Sequence, residues 1–258
     1  MSEKVSARRE LTLFLLGPGL LAAGIALIFS IWPWPVFSPS QAELFSLFQT
    51  GGYLAVGAAG AAACSRIGVP STPALSEGRR WASILFWSLL LGLAYGAFDL
   101  SLYILWPNPE GEAATRAAGI TWSNVALPWS VAHYAHASIL TECAFRLGLV
   151  AVPTWLVSHV LLKGRGQSAT FWIFAVLVAF IEPLGKSLAL KQLPLLGMPL
   201  HETLLTIEGV IWQLVFAWLL RRCGWSAPML MRFAFYLLFR VTAGYFFPPD
   251  SLMYPGPH

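Results

Sequence analysis

The chain has 258 residues, of which 57% are hydrophobic and only 11% are charged. Soluble domains usually carry about 25% charged residues, so this composition excludes an ordinary water-soluble fold. The mean hydropathy is +0.66 and the formal net charge is +4. The high hydropathy and low charge predict an integral membrane protein. No basic stripe with interleaved aromatic residues accompanies the positive charge, so we do not expect it to bind nucleic acid.

Apolar runs close to the ~20 residues needed to cross a hydrocarbon core as a helix recur along the chain. In order, they cover residues 11–31, 43–64, 81–105, 128–161, 169–190, 202–220 and 227–246. They predict an all-α integral membrane protein, a bundle of about seven transmembrane helices. Most connections are short, so residues 1–258 are expected to form one membrane domain. The first run lacks a following small-residue cleavage site and is expected to be retained.

The lysines and arginines predict the orientation of the bundle. Ten flank one side of the predicted helices and three the other, and the positive-inside rule places the richer side in the cytoplasm. The N-terminus is then cytoplasmic, the C-terminus is outside, and we expect the membrane to be a bacterial inner membrane. The ten residues are Lys4, Arg8, Arg9, Arg66, Arg79, Arg80, Lys163, Arg165, Arg221 and Arg222.

Four further patterns bear on packing and on the connections between helices. The run GGYLAVGAAGAAAC, residues 51–64, predicts a close interhelical seam because small residues let helices approach. Segment 128–161 would be about 50 Å long as one helix, so we expect it to tilt, protrude or break near Pro153. Outer loop 106–127 could carry a short interfacial helix. The three cysteines have no paired spacing and are expected to be small buried hydrophobes.

Ionisable residues inside membrane helices are functional candidates because they are costly to bury. Glu142 and Arg146 are spaced i, i+4 and share a helix face. They can form a neutralised pair packed inward. Alternatively, the carboxylate activates water while the guanidinium binds an oxyanion. Asp99 and Glu208 are each expected to face the bundle interior.

Four histidines lie in or at the edges of the predicted helices: His133, His136, His159 and His201. His133 and His136 are spaced i, i+3, but two ligands fall short of a stable metal site. A hydrogen-bonding role is favoured for this pair. Neutral imidazoles could also ligate a haem or chlorophyll, so the cofactor stays unknown.

Residues 141–150, TECAFRLGLV, resemble the first motif of the CPBP family, membrane proteins that include the type II CAAX prenyl proteases. In that motif E-E-x-x-x-R is followed by a glycine and an apolar helix. Glu142 matches the second glutamate and Arg146 the arginine, whereas Thr141 stands in place of the first glutamate.

Two further parts of the chain extend the resemblance over about residues 128–240. Residues 218–236, WLLRRCGWSAPMLMRFAFY, are similar to a pattern that ends in H-x-x-x-N/D, with Arg232 at the histidine position and Tyr236 at the Asn or Asp position. The intermediate F-x-x-x-H motif corresponds best to FWIFAVLVAFIEPLGK. There Val178 takes the Phe position and Glu182 the His position, ahead of His201 as a candidate.

The resemblance implies an intramembrane endopeptidase frame in which Glu142, Arg146, Glu182, Arg232 and Tyr236 occupy the catalytic positions. In the family, glutamates and histidines activate water to cut a substrate near its C-terminus, by glutamate-based or metal-dependent chemistry. Both motif histidines are replaced here, so the ligands for a metal are incomplete and no metal is expected.

Two functions follow from these substitutions. The chain is expected to be a CPBP-like protein whose proteolytic activity is lost or altered. The alternative is a non-catalytic accessory or scaffold subunit that binds a partner protein, lipid or pigment. Membrane lipid, a membrane-protein partner or a peptide substrate are the corresponding ligands.

The replaced positions also suggest how the site is built. We expect Glu142, Arg146, Glu182 and Arg232 to form a buried, net-neutral network, because opposite charges in a low dielectric must pair or be solvated. The alternative is that Arg232, about five residues into its helix, reaches cytoplasmic water by snorkelling.

Overall fold

The computed structural model describes residues 2–31, 47–70, 72–73, 77–105, 129–189 and 200–242. These residues are helical apart from turns and short connections, and no strand occurs among them, which confirms the all-α prediction. Four helices are α-helical throughout: α2 (Leu47–Cys64), α3 (Gly78–Leu105), α5 (Gln167–Ala189) and α6 (Leu200–Cys223). The other three are continuous helices in which α-helical and π-helical segments alternate: α1 (Ser2–Phe14, Leu15–Gly19 and Leu20–Ile31), α4 (Trp129–Glu142, Cys143–Ala151, Val152–Trp155 and Leu156–Leu161) and α7 (Ser226–Tyr236 and Leu237–Thr242).

Three helical stretches of the described chain are long and apolar enough to cross a membrane: Ser6–Ser30, Gly78–Leu102 and Ser130–Leu161. They agree with the prediction of a membrane protein. The crossing of the bilayer by all seven predicted helices, and the orientation of the bundle, stay predictions. Helix α6 is not among these three stretches. Its apolar sequence contains Glu208 and Gln213, whose side chains are buried within the protein.

Several predicted features lie outside the described residues. The interfacial helix expected within 106–127 is one of them. The side chains of Glu182 and His201 also belong to the parts of α5 and α6 that are not described.

Helix α4 is continuous from Trp129 to Leu161, so the break expected as one alternative near Pro153 does not occur. Pro153 lies in a short α-helical segment, Val152–Trp155. π-Helical segments flank it on both sides, Cys143–Ala151 and Leu156–Leu161. A π-helical turn is wider than an α-helical one and is often found at functional positions. The first of these segments begins directly after Glu142.

The small-residue run of α2 packs against α1 and α4, which confirms the predicted seam. A Cβ atom at Gly57 would lie 2.5 Å from Cys143 Sγ and 2.6 Å from the Phe14 ring. At Gly60 it would overlap Leu147. The three cysteines are buried, as expected of small hydrophobes: Cys64, Cys143 and Cys223.

A second apolar cluster joins α3, α6 and α7. Gly92 lets α3 and α7 approach each other closely, because a Cβ at this position would overlap the backbone of Met231 in α7. Tyr95 lies between Trp212 of α6 and Phe235 of α7, with ring centroids 4.7 Å and 4.1 Å away and nearly parallel ring planes. The polar residues described below lie where this cluster meets α4.

One end of the bundle is closed by a buried carboxylate. Glu10 of α1 accepts hydrogen bonds from the Thr72 backbone N–H (3.1 Å), the Thr72 hydroxyl (2.6 Å) and Trp225 Nε1 (2.9 Å). The neighbouring Arg9 donates to the Thr72 carbonyl at 3.1 Å. Arg221 of α6 donates to the carbonyl of Ile67. These contacts bring α1, the connection after α2 and the end of α6 together at one end, which we call the basic end.

Replacing Glu10 by Ala is expected to lower the free energy of unfolding by about 2 kcal/mol, because three buried donors lose a charged acceptor. Thermal or detergent-induced unfolding of the purified chain measures the change. Glu77→Gln is the control, since the Glu77–Arg80 pair is exposed and such pairs contribute at most about 1 kcal/mol. Equal effects of the two substitutions would contradict the role given to Glu10.

Candidate functional site

Glu142 lies at the end of the first α-helical part of α4, and its side chain is completely buried, with 0% exposure. Arg232 Nε, from α7, donates a hydrogen bond to Glu142 Oε1 at 2.5 Å. Arg146 Nε, one turn further along α4, lies 3.5 Å from Glu142 Oε2. Both carboxylate oxygens therefore face guanidinium groups. The intrahelical pair expected from the i, i+4 spacing is present, and a second arginine joins it.

Helix α6 completes the surroundings of the two arginines. Arg146 Nη2 donates to Gln213 Oε1. The Phe216 ring lies beneath both guanidinium groups, with its centroid 5.1 Å from Arg146 Cζ and 4.5 Å from Arg232 Cζ. Gln213 and Phe216 are spaced i, i+3 and so share one face of α6. Cation–π contact of this kind is strongest when the cation is desolvated, as it is here.

We refer to Glu142, Arg146, Gln213, Phe216 and Arg232 as the buried ion cluster. The two arginines are 1% and 3% exposed, so the alternative in which Arg232 reaches water by snorkelling is wrong. Within the described part of the chain, Arg232 Nε pairs with Glu142, on the helix of the first motif. Glu182, the fourth member of the expected network, has its side chain outside the described residues, so that network stays a prediction.

Gln213 and Phe216 are members of the cluster that the sequence interpretation missed. A signal was present: Gln213 is an amide within an otherwise apolar stretch of α6, EGVIWQLVF. An amide buried in a membrane helix needs hydrogen-bond partners for the same reason as a charge does. Phe216 carried no such signal, because one aromatic residue in an apolar helix is ordinary.

The remaining polar candidates on the described helices differ in burial. Glu208, on α6, is buried, as expected. Asp99 is only half-buried. Tyr236 packs against Tyr134 of α4, with ring centroids 5.1 Å apart. Its position one turn after Arg232 places it beside the cluster, in an aromatic contact.

The described histidines, His133, His136 and His159, differ in burial and in neighbours. His136 is buried, with Nε2 3.2 Å from Thr50 Oγ1 of α2. This agrees with the hydrogen-bonding role favoured for the pair. His133 meets the Tyr134 ring edge-on, and His159 is exposed. Among the described residues, no three His, Cys, Asp or Glu side chains converge as metal ligands would.

The buried ion cluster does not fit the metal that the family resemblance allows. Among the described residues, a cation there would lie beside two guanidinium groups and would find one carboxylate, already engaged by both of them. Nor do the oxygens of Glu142 face a space where water or a peptide bond could bind, since its side chain has no exposed surface. What the geometry provides is a charged connection between α4 and α7, with α6 packed beneath it.

The chain was compared with protein-family models, with curated proteins and with solved structures, and none of the three comparisons gives a match.

Proposed function

We propose that this chain is a membrane scaffold protein with a CPBP-like helical frame and without proteolytic activity. The observation that carries the proposal is the burial of Glu142 together with its hydrogen bond to Arg232. A general base must reach both water and substrate within hydrogen-bond distance. Glu142 is instead engaged by two arginines from two helices.

The sequence departures support the same proposal. Thr141, Arg232 and Tyr236 stand where the family motifs have a glutamate, a histidine and an Asn or Asp. Arg232 in particular turns a position for a neutral, proton-transferring imidazole into a permanent cation. Its guanidinium then forms the counter-charge of Glu142. In this proposal the former catalytic position has become a structural ion pair.

As a scaffold, the protein presents apolar helix surfaces to lipid and to the helices of a partner. Large hydrophobic side chains are exposed along α3, among them Leu85, Phe86, Leu89, Leu90 and Leu93. In water such a surface would be unfavourable, whereas in a bilayer it contacts acyl chains or other membrane helices. We expect the chain to be extracted from its native membrane within a larger complex, measured by light scattering of the native extract.

A cleavage assay tests the loss of activity directly. Purified wild-type protein and Glu142→Gln, matched for folded fraction, are incubated in detergent and in vesicles with prenylated and unprenylated peptide substrates. We expect both proteins to give only the background rate. Cleavage by the wild type that Glu142→Gln abolishes, with the helical content unchanged, would overturn the proposal in favour of an intramembrane protease.

A further inference from the structure

A second polar site, separate from the buried ion cluster, lies at the basic end. The first turns of α3 and the last turn of α6 form an open cavity of about 250 Å³, and Pro70 borders it. Arg80, Ser83 and Trp87 line it from α3. Their spacing of three and four residues places them on one helix face. Arg222 and Cys223 line it from α6.

The cavity has a polar mouth and an apolar wall. Arg80, Trp87 and Arg222 are exposed, whereas Ile84 and Cys223 form a buried floor. The Trp87 ring meets Trp218 of α6 edge-on, with centroids 6.3 Å apart, and so closes the gap between the helices on the apolar side. Along α3, Trp87 lies seven residues beyond Arg80, which is about 10 Å deeper along the helix axis.

The charges at the mouth favour an anion. Arg222 has no hydrogen-bond or ion-pair partner within the described part of the chain, whereas the adjacent Arg221 is engaged with Ile67 and Phe171. Arg80 pairs with Glu77 at 2.7 Å, and the two side chains are 47% and 39% exposed. Such a pair is weak, and a guanidinium has five donors, so Arg80 can also bind a phosphate.

We propose that this cavity binds the phosphate of an anionic membrane phospholipid, between Arg80 and Arg222. The volume suits a headgroup better than a complete small-molecule ligand, for which pockets of about 300–1,000 Å³ are usual. Since α3 is long and apolar enough to cross a membrane from Gly78 onward, we expect Arg80, in its first turn, at headgroup depth and Trp87 at the level where acyl chains begin. From there the exposed leucines of α3 continue the apolar surface. Basic pockets between membrane helices are known to select anionic headgroups.

Lipid retention tests the proposal. The full chain is reconstituted in mixed vesicles of phosphatidylglycerol and phosphatidylcholine and extracted in mild detergent, and the retained lipids are counted by native mass spectrometry. The wild type is expected to retain phosphatidylglycerol in preference to phosphatidylcholine. Arg222→Gln and Arg80→Gln are each expected to weaken this retention about tenfold, the effect of losing one charge-assisted phosphate contact.

Arg165→Gln is the matched control, because it removes the same charge from an exposed position in the connection between α4 and α5. It is expected to retain phosphatidylglycerol as the wild type does. Equal retention of the two lipids by the wild type would overturn the proposal. So would an equal loss in Arg165→Gln and Arg222→Gln, since attraction to the whole basic end would then explain retention. All three arginines are exposed, so unchanged unfolding midpoints are expected and verify that the variants fold.

Inorganic phosphate distinguishes a lipid from a soluble ligand. One possible result is that phosphate alone raises the unfolding midpoint of the delipidated wild type but not of Arg222→Gln, while the wild type does not prefer phosphatidylglycerol to phosphatidylcholine. The lipid assignment is then wrong, and the site binds free phosphate. If phosphatidylglycerol is preferred and phosphate competes only weakly, the lipid assignment stands.

Discussion

Replacing Glu142 by Gln is expected to lower the free energy of unfolding by about 3–5 kcal/mol, the usual effect of removing one partner from a buried ion pair. The amide keeps the shape of the side chain but leaves Arg146 and Arg232 buried without their shared carboxylate. Unfolding of the purified protein in mixed detergent, followed by circular dichroism, measures the change. A loss below about 1 kcal/mol, within the range of an exposed pair, would contradict the assigned geometry.

A double-mutant cycle separates this ion pair from general damage. Arg232→Gln alone leaves Glu142 with Arg146, while Glu142→Gln with Arg232→Gln removes both partners of the 2.5 Å hydrogen bond. Because an unpaired buried charge is the costly element, the double variant is expected to be less destabilised than the sum of the single variants by about 1–3 kcal/mol. Additive losses would indicate that the two side chains do not interact. Loss of stability without any change in peptide processing is the outcome expected of a scaffold.

Replacing Gly60 by Ala is expected to lower the free energy of unfolding by about 3 kcal/mol. The added methyl group would lie 2.5 Å from the Leu147 backbone oxygen and would also overlap its Cβ. Since a backbone atom cannot rotate away, α2 and α4 would have to separate, and overpacking of this kind usually costs about 1–3 kcal/mol. Leu147 follows Arg146 in the chain, so the separation also displaces the buried ion cluster.

Gly52→Ala is the matched control on the same helix. A Cβ at Gly52 would have no neighbour within 4 Å. Alanine favours a helix over glycine by up to about 1 kcal/mol, so this variant is expected to match or exceed the wild type in stability. The two substitutions are chemically identical and differ only in their neighbours. If Gly60→Ala is as stable as Gly52→Ala, the close seam between α2 and α4 is wrong.

The sequence alone was informative where a local rule applied. The i, i+4 spacing of Glu142 and Arg146 predicted their contact because helix geometry places such residues together. The small residues around Gly60 predicted a close seam, because without a side chain a backbone can approach another helix. The hydropathy predicted an all-helical membrane protein, since only helices or closed barrels satisfy their backbone polar groups in lipid.

Contacts between distant segments required the tertiary structure. Arg232 is 90 residues from Glu142, and no spacing rule relates two positions so far apart. The argument from the replaced positions placed Glu142, Arg146, Glu182 and Arg232 in one network but could not give the contacts within it. The structure pairs Arg232 with Glu142 and adds Gln213 and Phe216 from α6.

Composition and periodicity thus determined the class of the protein, the approximate positions of its helices and the residues that are costly to bury. Which of those residues pair, and whether the pair faces water or the core, was decided only by packing. The reason is physical: because Coulomb energy falls with distance, the nearest charged atoms contribute most to the energy of a buried charge. For Glu142 those atoms come from α7 and from the next turn of its own helix, and their arrangement leaves its carboxylate no contact with solvent.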